Sequence, residues 1–191
     1  YGGSAGILAV TYGVENVIIK NCNVENSSIT SNCNNDNSSD MNVGGVIAMS
    51  GDAEITELYN CDVKDTNIIN NSGKGDLCAN TGGIVAAISS ANRSSNAEFS
   101  IVNCNWINGN MTAKQGNAAG ILGWTINADG VGNIKNCNVK GCNINSEADN
   151  SACSDTAGIV AISQKAININ NCNLSDSTIT GKGANVAGIL A

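Results

Sequence analysis

The sequence predicts an all-β protein, a parallel β-helix (β-solenoid) occupying residues 1–191 as one domain, on three observations. An Asn-Cys pair recurs five times, at Asn21-Cys22, Asn60-Cys61, Asn103-Cys104, Asn136-Cys137 and Asn171-Cys172. A Gly-Ile-Leu-Ala-like motif recurs six times, and with Gly6, Gly45, Gly83, Gly120, Gly158 and Gly188 as anchors the steps are 39, 38, 37, 38 and 30 residues. The chain has no Pro, a residue that would interrupt ladders between stacked interior strands. Self-similarity at a fixed period of roughly twenty to fifty residues marks a solenoid, propeller or array. A propeller blade needs four antiparallel strands per repeat, whereas these repeats, about 38 residues long, offer three short strands. The expectation is five full coils and the first strand of a sixth.

Within a coil the first strand carries the Gly-Ile-Leu-Ala motif, and a loop of variable length follows it. The second strand ends in the Asn-Cys pair, as in Ile167 to Cys172, and the third is centred seven residues beyond the Cys. Alternation supports the strands, because side chains of a strand point to opposite faces with period two. Ile167 and Ile169 share one face, whereas Cys172 and Leu174 have the opposite parity. The face therefore flips at the Asn, a residue that tolerates the left-handed conformation and bonds to backbone at turns. Asn21, Asn60, Asn103, Asn136 and Asn171 are accordingly expected to form a corner, stacked as an internal amide ladder.

Three residues before each Cys, two after it and seven after it, every position is apolar. Cys22, Cys61, Cys104, Cys137 and Cys172 thus read as an inward column in which the thiol behaves as a small hydrophobe. Ile29, Ile68, Met111, Ile144 and Ile179 form the core column of the third strand. Phe99 falls in register with Gly132, a large residue beside a small one, which keeps the packing density even.

Gly-Gly-Ile-Val followed by Ile-x-Asn-Cys-x-Val, then a short Thr-Ile-Thr-like strand and another Gly-Gly-Ile, resembles the GLUG-type and related β-helix repeats of secreted bacterial, archaeal and protist surface proteins. The resemblance covers essentially the whole chain. It implies an extracellular or cell-surface location and an adhesin-like or scaffold role, and it supplies no catalytic residues.

Composition narrows the function classes. A net charge of −7 with pI near 4.3 disfavours a nucleic-acid surface, which needs clustered Lys and Arg. No window approaches the roughly eighteen apolar residues of a membrane-spanning helix. The chain opens at Tyr1 without Met, so it is expected to be a processed chain, a segment of a longer array or a filament subunit. Without His or a Cys-x-x-Cys pair, no metal or cofactor is expected.

Four further cysteines lie off the column. Cys33 and Cys78 follow the third strands of coils one and two, and Cys142 and Cys153 flank the equivalent loop of coil four. The expected disulfides are Cys33–Cys78 and Cys142–Cys153, which imply an oxidising compartment. Six Asn-x-Ser/Thr triplets, at Asn26, Asn37, Asn70, Asn92, Asn110 and Asn173, are candidate glycosylation acceptors.

Polysaccharide-active β-helices work with carboxylate clusters. Here the outward positions around the Cys column hold mostly Asn, with Glu25 and Lys64 placed for an exposed cross-coil ion pair of little weight. The chain is therefore read as a non-enzyme, with a carbohydrate-binding or carbohydrate-active β-helix as the alternative. Ice binding is the third reading, on the small polar flanks of the third strand such as Ser28 and Thr30, or Thr178 and Thr180. The first strand is apolar in both parities: Ile7, Val46, Ile84, Ile121, Ile159 and Ile189 alternate with Leu8, Ile47, Val85, Leu122, Val160 and Leu190, the latter continued by Trp124. One set is expected to face outward as a stripe for lateral self-association or a surface ligand, with end-to-end stacking of coils as the other mode of assembly.

Overall fold

The computed structural model describes residues 2–33, 41–72, 79–89, 98–126, 130–148, 153–183 and 185–191. Their regular structure is entirely β, as 26 short strands pairing in parallel within five sheets. The coil is a parallel β-helix, and each strand pairs with its equivalents in adjacent coils. Ile29, Ile68, Met111, Ile144 and Ile179, for example, form one continuous register column.

Each coil is cut into five strands rather than the expected three. In the second coil they are Met41–Gly44, Ile47–Gly51, Ile55–Tyr59, Asp62–Lys64 and Asn67–Asn70, one in each sheet. The extra divisions have local causes. The Gly-Ile-Leu-Ala motif is a bend between the first and second sheets. Five residues downstream of the Asn-Cys corner's Asn stands another left-handed residue: Asn26, Asp65, Asn108, Gly141 and Asp176 have φ between 48° and 65°. This second corner separates the fourth sheet from the fifth.

The anchor glycines pack on the fourth sheet. A Cβ on Gly45 would lie 2.8 Å from Val63, on Gly83 2.7 Å from the Trp106 ring, and on Gly120 2.5 Å from Val139. It would also press on the carbonyl of the next glycine in the column, 1.9 Å away for Gly45 and 2.1 Å for Gly83. Only a residue without a side chain fits so close a backbone approach. The position before it has no such constraint in every coil, which is why Ala5, Ala119 and Ala157 stand where coils two and three have Gly44 and Gly82.

The expected outer stripe is overturned. Val46 and Ile47 are both fully buried, as are Ile84 and Val85, Ile121 and Leu122, and Ile159 and Val160. Because the chain bends at the glycine, alternation is broken and both residues of each pair join one core cluster. Leu8 is partly buried against the same cluster, Trp124 is half-buried, and Leu190 is exposed on the last coil. The other face of the second sheet is covered by the first, since a Cβ on Gly3 would meet Ala48 Cβ at 2.9 Å and Val10 Cγ2 at 3.0 Å. A sheet apolar on both faces is covered on both, here by its own chain.

Phe99 and Gly132 pair in register, and a Cβ on Gly132 would lie only 2.2 Å from Phe99 Cζ. The glycine is the space the phenyl ring fills.

Candidate functional site

The Asn-Cys corner carries the most regular surface chemistry of the molecule. Asn21, Asn60, Asn103, Asn136 and Asn171 have φ between 51° and 56°. Their side chains form one ladder, in which Asn60 Nδ2 donates to Asn21 Oδ1 (3.0 Å), Asn103 to Asn60 (3.0 Å), Asn136 to Asn103 (3.1 Å) and Asn171 to Asn136 (3.4 Å). This ladder is exposed, not internal. The left-handed turn swings the Asn outward and sends the next residue, Cys, into the core.

Each of the five column thiols donates back across the corner to the carbonyl two residues earlier. Cys61 Sγ reaches Tyr59 O at 3.4 Å and Cys137 Sγ reaches Lys135 O at 3.4 Å. The second corner repeats the device with hydroxyls: Ser27 donates to Glu25 O (2.8 Å), Thr66 to Lys64 O (2.7 Å) and Ser177 to Ser175 O (2.7 Å). In coil four the same position is Cys142, whose Sγ lies 3.3 Å from Lys140 O and 3.3 Å from Trp106 O. Cys and Ser/Thr are therefore interchangeable donors just after a left-handed residue.

This corrects the disulfide assignment. Cys142 is a free, fully buried thiol of the second corner, so the Cys142–Cys153 bridge does not form; Cys153 is buried and is disulfide-bonded, but not to Cys142. Cys33 is a free, half-buried thiol, so it makes no staple to Cys78, which lies outside the described residues. Burial pushes the Cys142 thiol above its ordinary value. Cys104 and Cys137 are pushed the same way, by the neighbouring column thiols Cys61 and Cys172 first and by burial second. A thiol raised in the folded state stays protonated while the unfolded chain ionises, so it withdraws stability as pH climbs past the unfolded thiol value. Cys142→Ser, matching Ser27 and Ser177, is expected to leave stability at pH 7 within about 1 kcal/mol. Above pH ~9 it should lessen the alkaline loss by up to about 1.4 kcal/mol per pH unit, read from urea midpoints between pH 7 and 10.5.

Two residues after each corner Asn, a second outward file runs through Asn23, Asp62, Asn105, Asn138 and Asn173. Asn105 Nδ2 donates to Asp62 Oδ1 (2.7 Å), and Asn138 gives Asn105 Oδ1 both its backbone N–H (3.1 Å) and its side-chain N–H (2.7 Å). Lys64 pairs with Asp62 at 2.9 Å, and this is the ion pair it makes in place of the expected one with Glu25. A shallow groove lies between the files, lined by Asn21, Asn60 and Asn103 on one side and Asn23, Asp62 and Asn105 on the other.

Other polar ladders are structural. On the third-strand flank, the surface expected for ice, Asn110 donates to Asn67 (3.0 Å) and Asn143 to Asn110 (2.9 Å). A buried ladder, missed in the sequence, joins Asn117 to Asn80 (2.9 Å) and Asn80 to Asn42 (3.1 Å). Its signal was present, since Asn42, Asn80, Asn117 and Asn185 all stand three residues before an anchor glycine. Asn70, one of the triplet asparagines, is fully buried and donates to Met41 O (2.9 Å) and Ala79 O (3.1 Å), so it is no glycosylation acceptor. Asn37 and Asn92 lie outside the described residues. Among the described residues no group of three or more His, Cys, Asp or Glu is placed to hold a metal ion, and no helix is long and apolar enough to cross a membrane.

The corner itself is testable. Asn103→Ala removes two ladder bonds and forces a Cβ residue without a polar side chain to φ 53°. The expected cost is about 2–3 kcal/mol, against about 1 kcal/mol for Asn103→Gly, which keeps the conformation free of strain. Chemical denaturation of the two variants measures the difference, and an equal cost for both would remove the conformational part of the explanation.

No protein-family model, curated protein or solved structure matches this chain.

Proposed function

We propose that the chain is an extracellular, adhesin-like structural element, a non-enzymatic rigid spacer or a subunit that stacks end to end into a filament. The observation that carries this reading is the continuity of the sheets. Strand registers and amide ladders run through every coil without an offset, the arrangement of a stiff rod that transmits load along hydrogen bonds.

Negative-stain electron microscopy with sedimentation across a concentration series tests the reading. Rods or fibres, with an axial repeat of ~4.8 Å in fibre diffraction, support it. A strict monomer that cleaves a polysaccharide would replace it with an enzymatic one.

A further inference from the structure

The groove between the two amide files has a donor and acceptor inventory that the fold does not use up. A side-chain amide offers two N–H groups and two lone pairs. Asn60 spends one N–H on Asn21 and one lone pair on Asn103, and Asn103 does the same between Asn60 and Asn136. Each keeps one donor and one acceptor for solvent. In the other file Asn105 keeps one N–H, because its second goes to Asp62 and its oxygen takes both N–H groups of Asn138. The orientation of that file is fixed chemically. The Asp62 carboxylate only accepts and the Asn138 backbone N–H only donates, so the nitrogen of Asn105 must face one and its oxygen the other.

Three properties then define what fits. The single carboxylate of the groove, Asp62, is paired with Lys64 at 2.9 Å, so charge selects neither anion nor cation. The free groups include both donors and acceptors, which matches hydroxyls, since each of them both donates and accepts. They also repeat at the coil spacing of ~4.8 Å along the axis, on side chains already held by left-handed corners and ladder bonds, so little ordering entropy is lost on binding. We propose that this groove is a binding track for a neutral, hydroxyl-rich polymer, a polysaccharide chain lying along the solenoid axis. The site does not depend on filament formation, because the groove lies on the side of the rod.

The test uses the 191-residue chain in native gels cast with soluble β-glucan or mannan, with polygalacturonate as the charged counterpart, and in depletion assays on microcrystalline cellulose. Retention by at least one neutral polymer is expected, without matching retention by polygalacturonate. The double variant Asn60→Gly/Asn103→Gly keeps both corners free of strain while deleting their amides, and should raise the apparent Kd about tenfold or more. Asn105→Ser, which touches no corner, should weaken binding in the same direction, whereas Asn110→Ala/Asn143→Ala, on a different face, should leave it unchanged. The proposal is overturned if no neutral polymer is retained, if only the charged polymer is, or if the glycine pair and Asn105→Ser both bind as tightly as the parent. Thermal hysteresis that disappears in the glycine pair, without polymer retention, would assign the groove to ice instead. Filament formation is scored separately by microscopy, so loss of polysaccharide binding and failure of the scaffold reading are distinguished.

Discussion

Gly83→Ala is expected to destabilise the protein by more than about 3 kcal/mol, at the upper end for added core volume, and to do so with a single methyl group. The new Cβ would stand 2.1 Å from Gly120 O and 2.7 Å from the Trp106 ring. The first atom belongs to the backbone of the next coil and the second to a fully buried indole. Neither can yield without parting the ladder or moving the core, because packing at interior density leaves no slack. The proper control is Gly188→Ala, which changes the same motif position in the last coil. There the nearest atom outside the glycine's own neighbours is Leu174 Cδ2 at 3.9 Å, an ordinary contact. That variant should be within about 0.5 kcal/mol of the parent or slightly more stable, since Ala restricts the unfolded chain more than Gly does. Urea unfolding of both chains reads the contrast. Equal, small effects would mean that the anchor glycines mark a flexible bend and not a close approach.

The contrast also explains what the sequence could and could not convey. The period, the core columns and the first corner were legible because they combine one residue type with one register: Asn always precedes Cys, and an apolar residue always stands seven beyond. The second corner was hidden by degeneracy. Asn26, Asp65, Asn108, Gly141 and Asp176 are united by tolerance of positive φ and not by identity, and their followers Ser27, Thr66, Gly109, Cys142 and Ser177 are united by small size. Counting Cys142 among loop cysteines followed from looking for cysteine, when the column was one of small donors. The apolar stripe arose from treating Gly-Ile-Leu-Ala as one strand. A strand with both parities apolar demanded a partner, but a bend at the glycine places both residues in the core, and only the backbone reveals the bend. The groove was invisible for a different reason. Its chemistry depends on which amide protons and lone pairs the ladders leave over, and composition reports only that Asn is plentiful.

The exception in the second-corner column leads to the other large effect. In coil three the position that holds Ser, Thr or Cys elsewhere is Gly109, and a Cβ there would come within 2.2 Å of Trp106 Nε1. The indole is fully buried and makes no hydrogen bond through Nε1 within the described protein. Trp106 and Gly109 therefore form one unit, standing where coil two has Val63 and Thr66, whose hydroxyl donates to Lys64 O at 2.7 Å. Gly109→Thr alone should be severely destabilising, by more than about 3 kcal/mol, since it drives a β-branched side chain into the ring. Trp106→Val alone should cost about 3 kcal/mol or more through the cavity it leaves between Gly83 and Gly109. Together the two substitutions rebuild the arrangement of coil two, in which Gly45 packs on Val63, and the added threonine regains the bond back across the corner. The double variant should then recover more than half of the summed loss, a coupling of about 3 kcal/mol, at the upper end for residues in direct contact. The cycle is measured by chemical denaturation at pH 7. Additive losses would show that coil three tolerates Trp106 by widening the whole coil. Strong recovery would show that the bulk is accommodated locally, by one missing side chain one corner away from the groove, so that the amide files pass coil three in the same register as every other coil.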